Sequence, residues 1–216
     1  MAISFTNLGS FESLTAYMQT LAPEYFYSVT ESGGIITCKD SDSNTILQIT
    51  MTGSNPQYTV KFKMFADATH YIEIGGVGYM PKWAGKCGKG VLIAVENPSG
   101  GYAQHTYCII TKNNAGKTAF VSGYGNSVQA ACCTGVGCTV WGDDADKVSN
   151  TLTFTPESSY QNALCNFGTH PSYGDVSFLP DAYYMPQGIF YANGFTSFIQ
   201  GGKVYMTNGY WAILDQ

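Results

Sequence analysis

Arginine is absent from this sequence: all 10 basic residues are lysines, they stand against 15 acidic residues, and the net charge is −5. Arginine makes the commonest specific contact to guanine and is the preferred bidentate ligand of phosphate groups. A few lysines spread over an acidic chain do not form the basic face that nucleic-acid binding requires. The composition therefore argues against nucleic acid as a partner.

Long apolar runs are also missing, and no stretch approaches the ~20 residues of a membrane-spanning helix. The first basic residue is Lys39, and the opening MAISFTNLGSFES lacks the apolar core of a signal peptide. The 7 cysteines are odd in number and irregularly spaced, which favours free thiols over a secreted disulfide framework. We therefore expect a chain that is synthesised and folded in a reducing cytoplasm and does not enter a membrane.

Charged residues make up only 12% of the chain, about half the usual share, whereas there are 25 glycines and 16 tyrosines. The surface must then consist largely of uncharged polar and aromatic side chains. Such a surface lowers the solubility of a lone monomer. It is typical of a chain whose surface contacts copies of itself or other partners.

One helix is predicted near the start of the chain. Ser10 is a good N-cap, Glu12 lies favourably in the first turn, and Pro23 is expected to stop the helix. Apolar residues recur between them at helical spacing: Phe11, Leu14, Met18 and Leu21. This helix should pack one apolar face on a sheet.

The rest of the chain consists of short strand-like segments separated by turn residues. The segment QYTVKFKMF alternates from Tyr58 to Phe65, and KVYMTNGYWAILD contains the strong hairpin signal Asn208-Gly209. The predicted fold class is mainly β: an antiparallel β-sandwich or barrel with one N-terminal helix and long loops rich in Gly, Tyr and Ser.

We interpret residues 1–216 as a single β-rich domain, with a sub-boundary near 97–101 as the alternative. Residues 122–150 and 156–188 match the strand pattern least and are predicted to be long excursions from the core. Loops of that length usually carry function or make contacts. Together with the segment before Phe11, they are where we expect contacts.

Residues 115–118 (AGKT) resemble the end of a phosphate-binding loop. That loop needs a glycine where this chain has Thr111, and it must open into a helix, whereas strand-like residues follow here. Two apolar runs joined by residues 113–116 (NNAG) predict a β-hairpin, with Asn and Gly in left-handed positions. The hairpin is the favoured interpretation.

Asp40, Asp42 and Asn44 have the spacing of the first ligands of a calcium loop. The sixth position should be glycine and is Thr45, and the twelfth should be glutamate and is Met51. Because the flanking segments alternate like strands, a turn is favoured.

Two clusters of potential metal ligands follow, three cysteines (Cys132, Cys133 and Cys138) and three aspartates (Asp143, Asp144 and Asp146). A closed zinc site needs further ligands, and Cys87 or Cys108 could complete the cysteine cluster, but nothing in the sequence pairs them with it. Buried thiols and a solvated acidic turn are favoured over metal binding, and no cofactor is expected.

Cys165 with His170, or Ser172 in a sequence that resembles a serine-hydrolase elbow, would be the nucleophile of a hydrolase. The elbow lacks its first glycine, and neither residue lies between a clear strand and a clear helix. No catalytic constellation is complete, so we expect a protein that is not an enzyme.

Aromatic side chains are the remaining candidates for binding or assembly contacts, because they stack on sugars and anchor interfaces. The candidates are Trp83, Trp141, Tyr173, Tyr183, Tyr184 and Trp211. For Trp211, inside the last predicted hairpin, packing in the core is the favoured alternative.

The segment 179–216, LPDAYYMPQGIFYANGFTSFIQGGKVYMTNGYWAILDQ, resembles the closing segment of virion structural proteins from tailed bacteriophages of gut Firmicutes. The resemblance lies in the Gly-Gly-Lys-x-Tyr-x-Thr-Asn-Gly hairpin and the Trp-Ala-Ile-x-Asp finish. Residues 107–121 resemble an internal hairpin of the same group. The two matches cover about a quarter of the chain and carry no catalytic residues. They imply a subunit of the phage particle, made in the host cytoplasm and located in the virion.

The resulting expectation is a self-associating virion subunit that contacts copies of itself, in a ring or as trimers, and other virion proteins. A position in the tail or neck is favoured over the head surface. Unpaired sheet edges serve such assembly because neighbours complete their backbone hydrogen bonds. The alternatives are a β-module at the virion tip that binds a receptor or host-surface glycan, and a cysteine or serine hydrolase.

Overall fold

The computed structural model of the chain describes residues 3–54, 57–77, 80–96, 105–124, 127–140, 150–153, 163–167, 179–184, 196–208 and 211–215. The chain is mainly β, as predicted, and every paired strand in the described ranges runs antiparallel to its neighbour. The strands form three sheets, which we call the N-terminal, central and C-terminal sheets.

The predicted helix is α1, Phe11–Thr20, and its N-cap is Ser10, whose hydroxyl accepts the backbone N–H of Ser13 at 3.1 Å. A second helix of one turn, α2 (Ala22–Tyr25), follows directly. The reason is that Pro23 cannot continue α1 but fits the first turn of a new helix, where no backbone N–H is needed.

The N-terminal sheet is a five-stranded meander in chain order. Its strands are β2 (Ser28–Ser32), β3 (Ile35–Lys39), β4 (Thr45–Ser54), β5 (Gln57–Phe65) and β6 (Tyr71–Val77). Ile36, Ile49 and Phe62 are buried in one cross-strand row, whereas the next row is polar. One face of this sheet therefore packs on the core and the other faces water.

The central sheet has seven strands in the order β1-β7-β8-β9-β10-β11-β12. They are β1 (Ser4–Asn7), β7 (Met80–Cys87), β8 (Gly90–Glu96), β9 (His105–Lys112), β10 (Thr118–Tyr124), β11 (Ser127–Cys133) and β12 (Gly137–Val140). β8 is buried along nearly its whole length, which explains its continuous apolar sequence VLIAV. Both faces of this sheet are covered.

The C-terminal sheet has six strands in the order β13-β14-β15-β18-β17-β16. They are β13 (Asn150–Thr153), β14 (Ala163–Phe167), β15 (Leu179–Tyr184), β16 (Thr196–Gln200), β17 (Lys203–Thr207) and β18 (Trp211–Leu214). The predicted hairpin around Asn208 is confirmed by the pairing of β17 with β18. The last strand lies between β15 and β17, inside the sheet.

The three sheets stack with the central sheet in the middle. One apolar cluster joins α1 and the N-terminal sheet to the central sheet, and includes Leu14, Phe62 and Ile93. A second cluster joins the other face of the central sheet to the C-terminal sheet, and includes Ile109 and Trp211. The predicted antiparallel sandwich is confirmed and has three layers.

Both segments that were predicted to be long excursions contain strands, which corrects that prediction. β11 and β12 lie within 122–150, and β14 and β15 lie within 156–188. The sequences of these strands, such as SVQAACC and ALCNF, are short and contain few β-branched residues, so their pattern is weak. On either side of 97–101, β8 and β9 are adjacent strands of the central sheet.

Candidate functional site

Two edge strands, β1 of the central sheet and β16 of the C-terminal sheet, lie at the same margin of the stack. Across the second core, β17, β18 and β15 contact β7, β8 and β9 respectively. Because β1 lies outside β7 and β16 lies outside β17, both edges end at this margin. Within the described ranges, β1 pairs only with β7 and β16 only with β17.

All four residues of β1 are exposed, although the strand is fixed in register against β7. Phe5 lies opposite Gly85, in the row that faces the C-terminal sheet, and is 41% exposed. A Cβ at Gly85 would lie 2.6 Å from the Met206 sulfur and 3.3 Å from the Phe5 ring. The glycine therefore makes room for both side chains, and the outer part of the Phe5 ring stays at the surface.

β16 is anchored by one face and uncovered on the other. The Phe198 ring stacks on the Tyr205 ring, with centroids 5.2 Å apart and planes 14° apart. Ile199 points to the opposite face, beside Val204, and is 74% exposed, the largest exposure among the big apolar side chains in the described residues. An isoleucine in this position contributes little to the monomer and is available to a partner.

Neither edge strand contains the charged residues or proline that often prevent edge-to-edge pairing. β1 (SFTN) and β16 (TSFIQ) contain no charged residue and no proline, whereas the edges of the N-terminal sheet contain Glu31 in β2 and Glu73 in β6. β12 and β13 at the opposite margin are uncharged as well. The β1–β16 margin carries two exposed apolar side chains, Phe5 and Ile199, and we call it the apolar margin.

Of the aromatic residues predicted as contacts, those that the structure describes lie in β7, β15 and β18. Trp211 is completely buried between the central and C-terminal sheets, where its ring lies 5.8 Å from that of Tyr107, so the core alternative holds for this residue. Tyr183 is also buried, and burial raises the pKa of its hydroxyl. Trp83 is half-buried in β7, opposite Asn7 of β1.

For the remaining candidate residues the structure gives a backbone position or no position. Tyr184 pairs with Trp211 through the backbone of β15 and β18. Trp141 and Tyr173 lie outside the described residues, as do the three aspartates 143, 144 and 146. Of the hydrolase candidates, His170 and Ser172 lie outside them too, and Cys165 is placed by its backbone pairing in β14.

The segment around AGKT is a hairpin, as predicted, and β9 pairs with β10 on either side of it. Gly116 has the expected positive φ of 73°. Asn113 contributes in another way than predicted: its Oδ1 accepts the backbone N–H groups of Ala115 at 2.9 Å and Lys117 at 2.8 Å. Side-chain capping of the turn thus replaces a left-handed asparagine.

The aspartates of the calcium-like segment also form a turn, as predicted. Oδ1 of Asp40 accepts the backbone N–H groups of Asp42 at 3.0 Å and Asn44 at 2.8 Å. Ser43 takes the left-handed conformation, with φ of 65°. The Asp40 carboxylate is therefore engaged with its own loop.

Both turns line one open cleft of about 600 Å³, together with α2 and the β11–β12 turn. Tyr27, which is 72% exposed, provides an aromatic face in this cleft. Its charged lining residues are of both signs: Lys112 and Lys117, with Glu24, Asp40 and Asp42. In the described part of the chain neither lysine has a carboxylate within ion-pair distance. The cleft is chemically suited to a polar ligand, and it is the second candidate site.

The three clustered cysteines lie on neighbouring strands, with Cys132 and Cys133 buried in β11 and Cys138 half-buried in β12. In the ranges that the structure describes, no group of three or more His, Cys, Asp or Glu side chains is placed to hold a metal ion. In the same ranges no helix is long and apolar enough to cross a bilayer.

Sequence reasoning pointed to the segment before Phe11, which contains β1, but it missed β16. The only sequence signal for β16 is an uncharged TSFIQ ahead of the Gly201-Gly202 turn.

Comparisons with known proteins add no further assignment: no family model, no curated protein and no solved structure matches this chain.

Proposed function

We propose that this protein is a self-associating structural subunit of a bacteriophage particle and that it assembles through the apolar margin. The observation that carries the proposal is the pair of uncharged edge strands, β1 and β16, at one margin of the stack. Ile199, on β16, is 74% exposed to solvent. A strand from a second subunit would complete the outward backbone hydrogen bonds of either edge and cover Ile199.

The virion assignment is supported by the resemblance of residues 179–216 to virion structural proteins. The same residues contain β15, β16, β17 and β18, which form most of the C-terminal sheet and one side of the apolar margin. The segment that carries the resemblance thus also contains the strand proposed to make the contact. A position in the tail or neck is favoured over the head surface.

The kind of pairing determines the assembly. If the same margin pairs with itself, the contact closes after two subunits and gives a two-fold dimer. If the margin pairs with a different surface of the neighbour, every added subunit still presents a free margin. Further subunits then add until the assembly closes into a ring, of which a trimer is the smallest. A tail or neck subunit requires the second kind.

The test is the molar mass of the purified chain by light scattering over a concentration series, with a reductant present. The wild-type protein is expected to give a discrete oligomer or rings that grow with concentration. Ile199→Lys should weaken association by about tenfold or more, because it removes an apolar contact and buries a charge in the new interface.

Ile35→Lys is the matched control, since Ile35 is also an exposed isoleucine but lies in β3, inside the N-terminal sheet and away from both uncharged margins. It should assemble like the wild type. Equal assembly of the Ile199 variant and the wild type would show that the margin is not the contact. A strict monomer at every concentration would contradict self-association and would favour glycan binding in the cleft at Tyr27.

A further inference from the structure

Cys132 and Cys138 are directly opposite each other on two neighbouring antiparallel strands. The register of β11 and β12 aligns their Cα atoms, and the two sulfur atoms are 2.8 Å apart. Both are thiols in this structure. A disulfide bond is about 2.05 Å long, so roughly 0.8 Å of closure separates the present geometry from a covalent bond.

The third cysteine of the cluster faces the other way. Cys133 follows Cys132 on β11, so its side chain points to the opposite face of the central sheet, where it belongs to the second core. Its sulfur accepts a hydrogen bond of 3.3 Å from Nδ2 of Asn113. The strand geometry therefore selects Cys138 as the partner of Cys132 and leaves Cys133 apart.

The two paired thiols differ in accessibility. Cys132 is buried, whereas Cys138 is half-buried on an edge strand, beside the β5–β6 turn, with its sulfur 3.7 Å from the backbone oxygen of His70. The hydrogen bond from the Cys132 thiol lowers the pKa of Cys138, and the backbone N–H of Ala66 adds to this, although burial opposes it. Cys138 is thus the thiol that an external reagent meets first, and it is the better nucleophile.

We propose that Cys132 and Cys138 are a reversible disulfide pair that links β11 to the edge strand β12 when the chain meets a low-molecular-weight disulfide such as glutathione disulfide. This inference stands on the strand geometry and does not depend on the proposed function.

The exchange proceeds in two balanced steps. The Cys138 thiolate attacks one sulfur of glutathione disulfide, and the released glutathione thiolate takes up the proton that Cys138 lost. Cys132 then gives up its proton and attacks the Cys138 sulfur of the mixed disulfide, which releases the second glutathione. Two cysteine thiols are oxidised, and one glutathione disulfide is reduced to two thiols.

The link would act on a strand that is otherwise weakly held. Within the described ranges, β12 pairs only with β11, and it is four residues long. A covalent bond between these strands would hold the edge of the central sheet closed. Because glutathione is mostly reduced inside cells, the pair would stay open during folding there and would close in an oxidising medium.

The experiment counts alkylated cysteines after the native protein has been equilibrated with excess glutathione disulfide or with dithiothreitol. After denaturation, alkylation and tryptic digestion, mass spectrometry examines residues 118–147, a stretch with no internal lysine or arginine that holds Cys132, Cys133 and Cys138. The reduced sample should carry three alkyl groups on this peptide. The oxidised sample should carry one, and its melting temperature should rise by about 5 °C.

Two variants separate the pair from its neighbour. Cys133→Ser should still form the bond, so its oxidised peptide should carry no alkyl group. Cys138→Ser should carry two alkyl groups and show no rise in melting temperature. The proposal is overturned if the oxidised wild type keeps three alkylated cysteines, if it stops at a glutathione adduct without an internal bond, or if Cys138→Ser still forms a bond.

Discussion

Gly88, in the β7–β8 turn of the central sheet, is in close contact with Asp215, which follows the last strand of the C-terminal sheet. Its backbone N–H donates a hydrogen bond of 2.7 Å to Oδ1 of Asp215. The adjacent Cys87 thiol donates to the carbonyl oxygen of Leu214 at 3.5 Å. A Cβ at Gly88 would overlap the backbone oxygen of Asp215, so the approach depends on the missing side chain.

Gly88→Ala is therefore expected to lower the free energy of unfolding by about 2 kcal/mol, because an added methyl group forces backbone rather than a flexible side chain to move. Lys89→Ala, in the same turn but exposed, should change it by less than about 0.5 kcal/mol. Urea unfolding of both variants measures the difference. Equal stabilities would mean that residue 215 is not held against the turn.

At the scale of single elements, the β9–β10 hairpin depends on one buried asparagine. Oδ1 of Asn113 accepts two backbone N–H groups, and its Nδ2 donates to Cys133, so the side chain satisfies the turn on one side and contacts β11 on the other. The adjacent Asn114 is exposed. The two neighbouring asparagines thus have different roles in the same turn.

We expect Asn113→Ala to destabilise the protein by about 2–3 kcal/mol, since it leaves the N–H groups of Ala115 and Lys117 without their acceptor. Asn114→Ala should leave stability within about 0.5 kcal/mol of the wild type. Thermal unfolding followed by circular dichroism compares the two. If both substitutions cost the same, capping by the Asn113 side chain does not determine the turn.

Elements with strong local signals were predictable from the sequence. Ser10 and the apolar spacing that follows it gave the start and the buried face of α1, and the alternation from Tyr58 to Phe65 gave β5. Strands such as β11 and β14 could not be predicted, because alanine and cysteine have little intrinsic preference for strands. Their position in a strand is determined by packing against the neighbouring strands of the sheet. The third layer was missed for the same reason.

The candidate site was predictable only in part. The segment before Phe11 was expected to make contacts, and it contains β1. The exposure of Ile199, however, results from strand order: β18 inserts between β15 and β17 and leaves β16 at the edge. Strand order arises from contacts between distant residues, so local sequence patterns carry little information about it.

At the scale of the whole molecule, the three-layer stack predicts a gradient of backbone protection. β8 is covered on both faces and paired on both sides, whereas β1 and β16 are edge strands with exposed residues. Amide groups of the middle strands should open only on global unfolding, and those of the edges should open locally.

Hydrogen exchange followed by mass spectrometry tests this gradient at a concentration where the chain is monomeric. Peptides that cover β8 and β9 should exchange slowest, and those that cover β1 and β16 should exchange fast. At concentrations where oligomers form, β1 and β16 should gain protection, together with the surface of the neighbour that pairs with them. Protection that appears instead on β2 and β6 would locate the contact on the N-terminal sheet.

The central position of β18 has a consequence for synthesis on the ribosome. The N-terminal and central sheets are complete in sequence by residue 140, so they can form while later codons are still being translated. The C-terminal sheet cannot, because β15 and β17 have no common neighbour until residues 211–214 emerge. A nascent chain that has not reached this point lacks Trp211 and Ile213 of the second core, so the facing side of the central sheet stays partly uncovered until β18 has been made.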